Sequence, residues 1–141
     1  MLTINATDVR KNWSEVLDTV IRTQPQFIKR TRDCMMLSNI ELMSDILSVY
    51  TFTATKYTEA DNSITLSLNE IDLAENAENE EQAKNQLAQA IIDYAYDYYS
   101  EFKYWSVAPN RKAHIPYVLK AIILDDVKKI GESITCQDGK N

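Results

Sequence analysis

The sequence predicts an α+β protein, with a β-α-β-β-α module followed by a small antiparallel βββα domain and C-terminal helices. Apolar residues recur every three or four positions in some segments and every second position in others, as in helices and strands. The period changes from helical to alternating near Tyr50. A length of 141 residues with 45% hydrophobic content suits one ordinary domain or two small ones.

Composition argues against several classes of protein. No apolar run reaches the ~18 residues of a membrane helix, and the N-terminus lacks the pattern of a signal peptide, so we expect a cytosolic protein. Cys34 and Cys136 cannot form a disulfide framework or a CxxC zinc motif, and Cys34 is expected in a strand, as a small core residue. Gly131 and Gly139 match no phosphate-binding loop. We therefore expect no cofactor and no metal.

The first module is predicted to contain a strand, a long helix, a hairpin and a short helix. A strand covers residues 2–4, and Asn5 with Asp8 resembles a capping box at the start of the helix. Pro25 ends this helix. The hairpin strands are 26–30 and 34–38, and a helix from Ser38 or Asn39 extends to about Val49. One face of the long helix carries the apolar side chains of Val9, Trp13, Val16, Leu17, Val20 and Ile21.

The remaining residues, 50–141, are predicted to form a second domain. Its strands are 51–57, 63–68 and an irregular 71–77, followed by one long helix over 79–105. Two shorter helices cover 116–123 and 125–134, and the tail 137–141 is expected to be loose.

Charge is distributed unevenly along the chain. Residues 1–49 hold six basic and six acidic side chains, whereas residues 50–108 hold three basic and eleven acidic ones. Residues 109–141 hold six basic and four acidic side chains. Such asymmetry indicates a division of labour. Residues 1–49 can contact phosphates. The acidic residues 50–108 suit a basic partner or, alternatively, only aid solubility.

The first 49 residues resemble the opening of Phd/YefM-type antitoxins. The resemblance rests on the run ATDVRKNWSEVLD, the first hairpin strand with FIKR, and the LSNIEL segment that ends the hairpin. It implies a cytoplasmic, RelB-like homodimer that binds operator DNA with its N-terminal module and holds a toxin with its C-terminal part. The turn Thr31-Arg32-Asp33 lacks the glycine that the family usually has there, and about 90 further residues look folded.

The resemblance also suggests which residues contact DNA. Arg10 stands where the family's helix carries its DNA-contacting arginine, and Arg30 stands at the basic position of the first hairpin strand. An ordinary solvated helix and hairpin is the alternative. Further candidates for phosphate contacts are Asn5, Thr7, Lys11, Lys29 and Arg32.

The second domain has a weaker resemblance, in topology, to the βββα domain of HicB-type antitoxins. Its acidic residues, Glu80 and Glu81 among them, are candidates for covering a basic toxin, for which a RelE-like or related ribonuclease is expected. Tyrosines are enriched in protein interfaces. Tyr96, Tyr99 and Tyr104 are therefore interface candidates, while the other aromatic residues of the long helix are expected to pack in the core.

Two alternatives to an antitoxin and autorepressor stay open. One is a protein-interaction or dimerisation module that uses the acidic, tyrosine-rich second domain and does not bind DNA. The other is a hydrolase that uses His114, the only histidine. Nothing in the spacing marks a nucleophile beside His114, so we expect no catalytic residues and no enzyme activity.

Overall fold

A computed structural model describes residues 1–140, which form two compact units. The first unit spans Met1–Ile46 and the second begins at Leu47. In the described part of the chain, no helix has both the length and the apolar character needed to cross a membrane.

The first unit is a three-stranded sheet with helices packed on one face. Strand β1 (Ile4–Asn5) runs parallel to β2 (Gln26–Arg30), and β3 (Asp33–Leu37) pairs with β2 as an antiparallel hairpin. The small core consists of Val9, Val16, Val20 and Ile28. The elements are β1 (Ile4–Asn5), α1 (Ala6–Lys11), α2 (Trp13–Arg22), β2 (Gln26–Arg30), β3 (Asp33–Leu37) and α3 (Ile40–Leu47), the last leading into the second unit.

The predicted long helix of this unit is two helices, so that prediction was wrong. Asn12 separates them, with φ of −117° and ψ of 34°, and its side-chain amide donates to the carbonyl of Asp8 over 3.1 Å. An asparagine side chain that bonds to the backbone in this way competes with helix hydrogen bonds. The capping box is also absent, because the Asn5 side chain makes no capping hydrogen bond.

The hairpin turn is tighter than predicted, because β3 already begins at Asp33. Arg30 and Asp33 are a register pair, so only Thr31 and Arg32 form the turn. Thr31 has a φ of 58°, in the left-handed region that favours glycine. A β-branched residue at positive φ is strained.

Replacing Thr31 with glycine should therefore stabilise the protein. Relief of the left-handed strain is worth about 1–2 kcal/mol, partly offset by the greater freedom of glycine in the unfolded chain, so the net gain should be about 0.5–1 kcal/mol. The measurement is the free energy of unfolding in urea. Thr23→Gly, at a position with negative φ, serves as the control and should not stabilise the protein. A destabilised Thr31→Gly variant would contradict the strain argument.

The second unit is a four-stranded sheet covered by helices. Its strands are β4 (Thr53–Thr58), β5 (Ile64–Leu68), β6 (Ala74–Ala77) and β7 (Thr135–Asp138). The strand order is β6-β5-β4-β7, in which β7 runs parallel to β4 and the other pairs are antiparallel. Its elements are β4 (Thr53–Thr58), β5 (Ile64–Leu68), β6 (Ala74–Ala77), α4 (Glu80–Ser100), α5 (Phe102–Trp105), a 3₁₀ helix (Lys112–His114), α6 (Ile115–Leu124), α7 (Val127–Ser133) and β7 (Thr135–Asp138).

Two predictions for this unit were wrong. The long helix is interrupted at Glu101, so that α5 is a separate short helix. The tail 137–141 was expected to be loose, but residues 137–138 belong to β7 and the amide of Gly139 donates to the carbonyl of Lys56 over 2.7 Å. The predicted antiparallel three-stranded sheet thus gains a fourth, parallel strand. Asn141 lies outside the described residues.

The core of the second unit lies between α4 and the sheet. Leu87, Ile91, Ala95 and Tyr98 project from one face of α4 and are buried. At the start of this helix, the side-chain oxygen of Asn79 accepts a hydrogen bond from the backbone amide of Gln82 over 2.9 Å. This cap fixes where α4 begins relative to β6.

Candidate nucleic-acid interface and partner surface

A shallow depression on the first unit brings together most of the residues that the sequence proposed for DNA binding. The parallel pairing of β1 and β2 sets Asn5 beside Lys29 in the register. The start of α1 follows β1 directly, so Thr7 and Arg10 reach the same depression. The residues that line it are Asn5, Ala6, Thr7, Asp8, Arg10, Lys29, Arg30 and Thr31.

The cations of this depression are exposed and available. Arg10, Lys29 and Arg30 are solvent-exposed, and within residues 1–140 none of them has a carboxylate within 4 Å. Arg10 donates a hydrogen bond of 3.4 Å to the hydroxyl of Thr7, which links two of the candidates. Asp8 is the acidic member and lowers the positive potential locally. Arginine and lysine side chains of this kind are the usual contacts to nucleic-acid phosphates.

Two of the proposed residues lie outside the lining. Lys11 ends α1, and Arg32 occupies the second position of the hairpin turn, where its side chain is exposed. Sequence reasoning did not propose Ala6, Asp8 or Thr31 for this site. The pairing of β1 with β2 brings them into the lining, and nothing in the local sequence reports that pairing.

The open face of the first sheet is apolar and exposed. Ile28 faces the helices and is buried, so its neighbour Phe27 lies on the opposite face, where it pairs with Met36. Phe27 is 37% exposed and Met36 is 43% exposed. Cys34 shares this face as the register partner of Lys29 and is exposed, so the prediction of a buried Cys34 was wrong.

The residues of the second unit proposed for partner binding differ in their exposure and in the interactions that they already make. Tyr96, Tyr99 and Tyr104 are 45%, 60% and 67% exposed. Asp125, which lies near the Tyr96 hydroxyl, raises the pKa of Tyr96. Glu81 is exposed, and no ion pair within the described residues involves it.

Glu80 takes part in ion pairs that link three elements of the second unit. Its carboxylate lies 3.4 Å from Lys56 on β4 and 3.9 Å from Lys84 on α4. Lys56 also lies 3.4 Å from Asp138 on β7. The carboxylate of Glu80, and then that of Asp138, raises the pKa of Lys56. This pairing leaves Glu80 less available to a partner than Glu81.

Comparison with known proteins identifies the family. The model of the PHD_like family, described as antitoxin of toxin–antitoxin, RelE/RelB, TA system, matches residues 1–136. The chain belongs to this family of antitoxins. The label does not distinguish a Phd/YefM-type antitoxin from its relatives, so that finer assignment stays a prediction, as does the HicB-like resemblance.

A solved structure supports the same conclusion about the antitoxin. A crystal structure from Syntrophomonas wolfei subsp. wolfei, described as an antitoxin part of a proposed toxin/antitoxin system, matches with a TM-score of 0.93 and 33% sequence identity. The match covers 99% of this chain and 100% of that one. No curated protein matches the sequence. The α+β fold class is confirmed, and membership of a toxin–antitoxin system implies a cognate toxin.

His114 of the antitoxin belongs to a partly buried hydrogen-bond network. Arg111 donates to the Tyr94 hydroxyl oxygen over 2.9 Å, so the Tyr94 hydroxyl can donate its own proton to Nδ1 of His114, 2.6 Å away. Burial, and then the charge of Arg111, lower the pKa of His114. The lowered pKa favours the neutral imidazole, whose Nδ1 can then accept the hydrogen bond from Tyr94.

Proposed function

We propose that this antitoxin neutralises its cognate toxin by direct binding and represses its own operon by binding operator DNA as a homodimer. The observation that carries the DNA-binding half is the depression in which Arg10, Lys29 and Arg30 lie together, with no ion-pair partner among residues 1–140. Nucleic-acid phosphates suit this depression. Its cations neutralise phosphate charges and thereby release the counterions condensed on DNA. In a dimer the depression occurs twice, which suits two half-sites on one duplex.

An electrophoretic mobility shift with the promoter DNA of the antitoxin's own operon tests this half of the proposal. We expect the operator duplex to bind more tightly than a random duplex of the same length, by at least ~10³-fold at physiological salt. Equal binding to both duplexes would contradict repression. No binding to either duplex, together with tight binding of a toxin, would instead favour the alternative of an interaction module that does not contact DNA.

The apolar open face of the first sheet supports the homodimer. The unit has only four buried core residues, while Phe27 on β2 and Met36 on β3 remain exposed on the open face. A module of about 46 residues gains little from so small a core and commonly needs oligomerisation for stability. β3 is also an edge strand without lysine or proline to discourage pairing. A second copy that covers this face would supply the missing burial.

Replacing Met36 with alanine should weaken dimerisation by about thirtyfold. Each half-buried side chain contributes about 1 kcal/mol on complete burial, and a symmetric dimer loses two of them. Sedimentation equilibrium at a series of protein concentrations measures the dissociation constant of the dimer. Ile21→Ala, at a side chain of α2 that is 62% exposed, is the control and should leave dimerisation unchanged. A monomeric wild-type protein at micromolar concentration would remove the dimer from the proposal.

The acidic part of the chain supports the toxin-binding half. Residues 50–108 carry eleven acidic and three basic side chains, and a basic RelE-like or related ribonuclease would be complementary to them. Co-purification from the native operon tests this half. A small basic protein held in stoichiometric complex is the expected result, and recovery of the antitoxin alone under conditions where both are expressed would contradict it.

A further inference from the structure

The chain changes direction after α4, and four aromatic side chains lie together at that turn. Tyr99, Phe102, Tyr104 and Trp105 are here called the aromatic corner. The rings of Tyr99 and Phe102 lie 6.3 Å apart, and those of Tyr104 and Trp105 lie 4.9 Å apart in an edge-on arrangement. Tyr99 is 60% exposed and Tyr104 is 67% exposed. Residues 100–105 line a cavity of about 890 Å³ that is open to solvent.

The corner is held in place by groups behind it. The Arg111 guanidinium lies 5.4 Å from the centre of the Trp105 ring and 5.6 Å from that of Tyr94. The Tyr98 hydroxyl donates to the carbonyl of Arg111 over 2.8 Å, which ties the segment after α5 to α4. The ring of Tyr98 also contacts that of Phe102, with centres 5.6 Å apart. Exposed aromatic side chains that are fixed before binding lose little conformational entropy when a partner covers them.

The charges around the corner indicate what kind of partner covers it. Asp93, Asp97 and Glu101 are exposed and stand four positions apart along the chain. In the described part of the chain, none of the three has an ion pair. Lys103 is the single cation among residues 93–105. A second copy of this chain would bring like charges together, whereas lysine or arginine side chains would find both carboxylates and ring faces.

We propose that the aromatic corner, with Asp97 and Glu101 at its edge, is the docking surface for a basic segment of the cognate toxin. Exposed tyrosines would pack against the stems of lysine or arginine side chains and against their charged groups. The two carboxylates would pair with the same cations and guide their approach. This inference rests on the proposed function, because it presumes that the antitoxin binds a basic toxin directly.

The experiment measures binding of the full-length antitoxin to the toxin that co-purifies with it, by surface plasmon resonance. Tyr99→Ala combined with Tyr104→Ala should raise Kd by about a hundredfold, mainly through faster dissociation. Tyr99→Phe combined with Tyr104→Phe keeps the rings and should bind within about threefold of the wild type. Both tyrosines are exposed, so thermal unfolding should be unchanged.

A second pair of variants tests the charges separately. Asp97→Asn combined with Glu101→Gln should slow association about tenfold at low salt, with little effect at high salt. Glu15→Gln combined with Asp18→Asn removes two exposed carboxylates outside residues 50–108 and serves as the control, which should associate like the wild type. If the wild type binds the toxin and both the tyrosine and the carboxylate variants bind equally well, the docking surface is wrong while the proposed function stands. If no toxin co-purifies with the wild type, both the docking surface and the proposed function fail.

Discussion

Alanine at both Arg10 and Arg30 should weaken operator binding about a thousandfold at a salt concentration of about 0.15 M. Each protomer loses two cations from the depression, so a dimer loses four. Every neutralised phosphate contributes about 0.9 to the slope of log K against log salt, which amounts to about 0.7 in log K at this salt concentration. Both side chains are exposed and unpaired within the described residues, so their removal leaves no buried partner unsatisfied.

The salt dependence distinguishes a direct role from an indirect one. If these arginines contact phosphates, the double variant should lower the slope of log K against log salt by about 3.6. Arg22→Ala removes an exposed arginine from the same unit outside the depression, and it should change both slope and affinity little. An unchanged slope in the Arg10 and Arg30 variant would show that the depression does not hold phosphates.

The residues proposed for the DNA-binding depression could be predicted from the sequence, whereas their arrangement in space could not. Arg10 and Arg30 were proposed from the resemblance of the first 49 residues to a known family. Their shared depression depends on the parallel pairing of β1 with β2, a contact between residues 24 positions apart. A two-residue strand such as β1 carries no period of its own, so its partner cannot be inferred from a local pattern.

The errors in the fold prediction have a common physical origin. At Asn12 a side-chain amide bonds to the backbone and interrupts a helix whose apolar stripe continues on both sides. Thr135–Asp138 carries little apolar pattern, yet it forms β7 because β4 offers a free edge beside it. Periodicity reports burial along one element, whereas these features depend on a competing local hydrogen bond or on a distant strand.

Replacing Phe52 with alanine should destabilise the second unit by about 3–5 kcal/mol. The side chain is completely buried, and its ring centre lies 5.9 Å from that of Tyr117. The Lys120 ammonium lies 5.9 Å from the same ring and donates to the carbonyl of Tyr50 over 2.7 Å. Truncation of Phe52 would leave a cavity beside Tyr117 and Lys120, and it would remove the cation–π contact with Lys120. Equilibrium unfolding in urea measures the loss, with Phe52→Leu as a control that should cost no more than about 1.5 kcal/mol.

This prediction also separates loss of folding from loss of a docking surface. A domain of this size has about 5–15 kcal/mol of stability, so Phe52→Ala should leave a population of the second unit unfolded near its melting temperature. Toxin binding should then fall with temperature in parallel with the folded fraction. The Tyr99 and Tyr104 variant should instead lose binding at every temperature, with an unfolding curve like that of the wild type. A Phe52→Ala protein that unfolds within 1 kcal/mol of the wild type would contradict the packing argument, because no cavity would then have formed at the centre of this core.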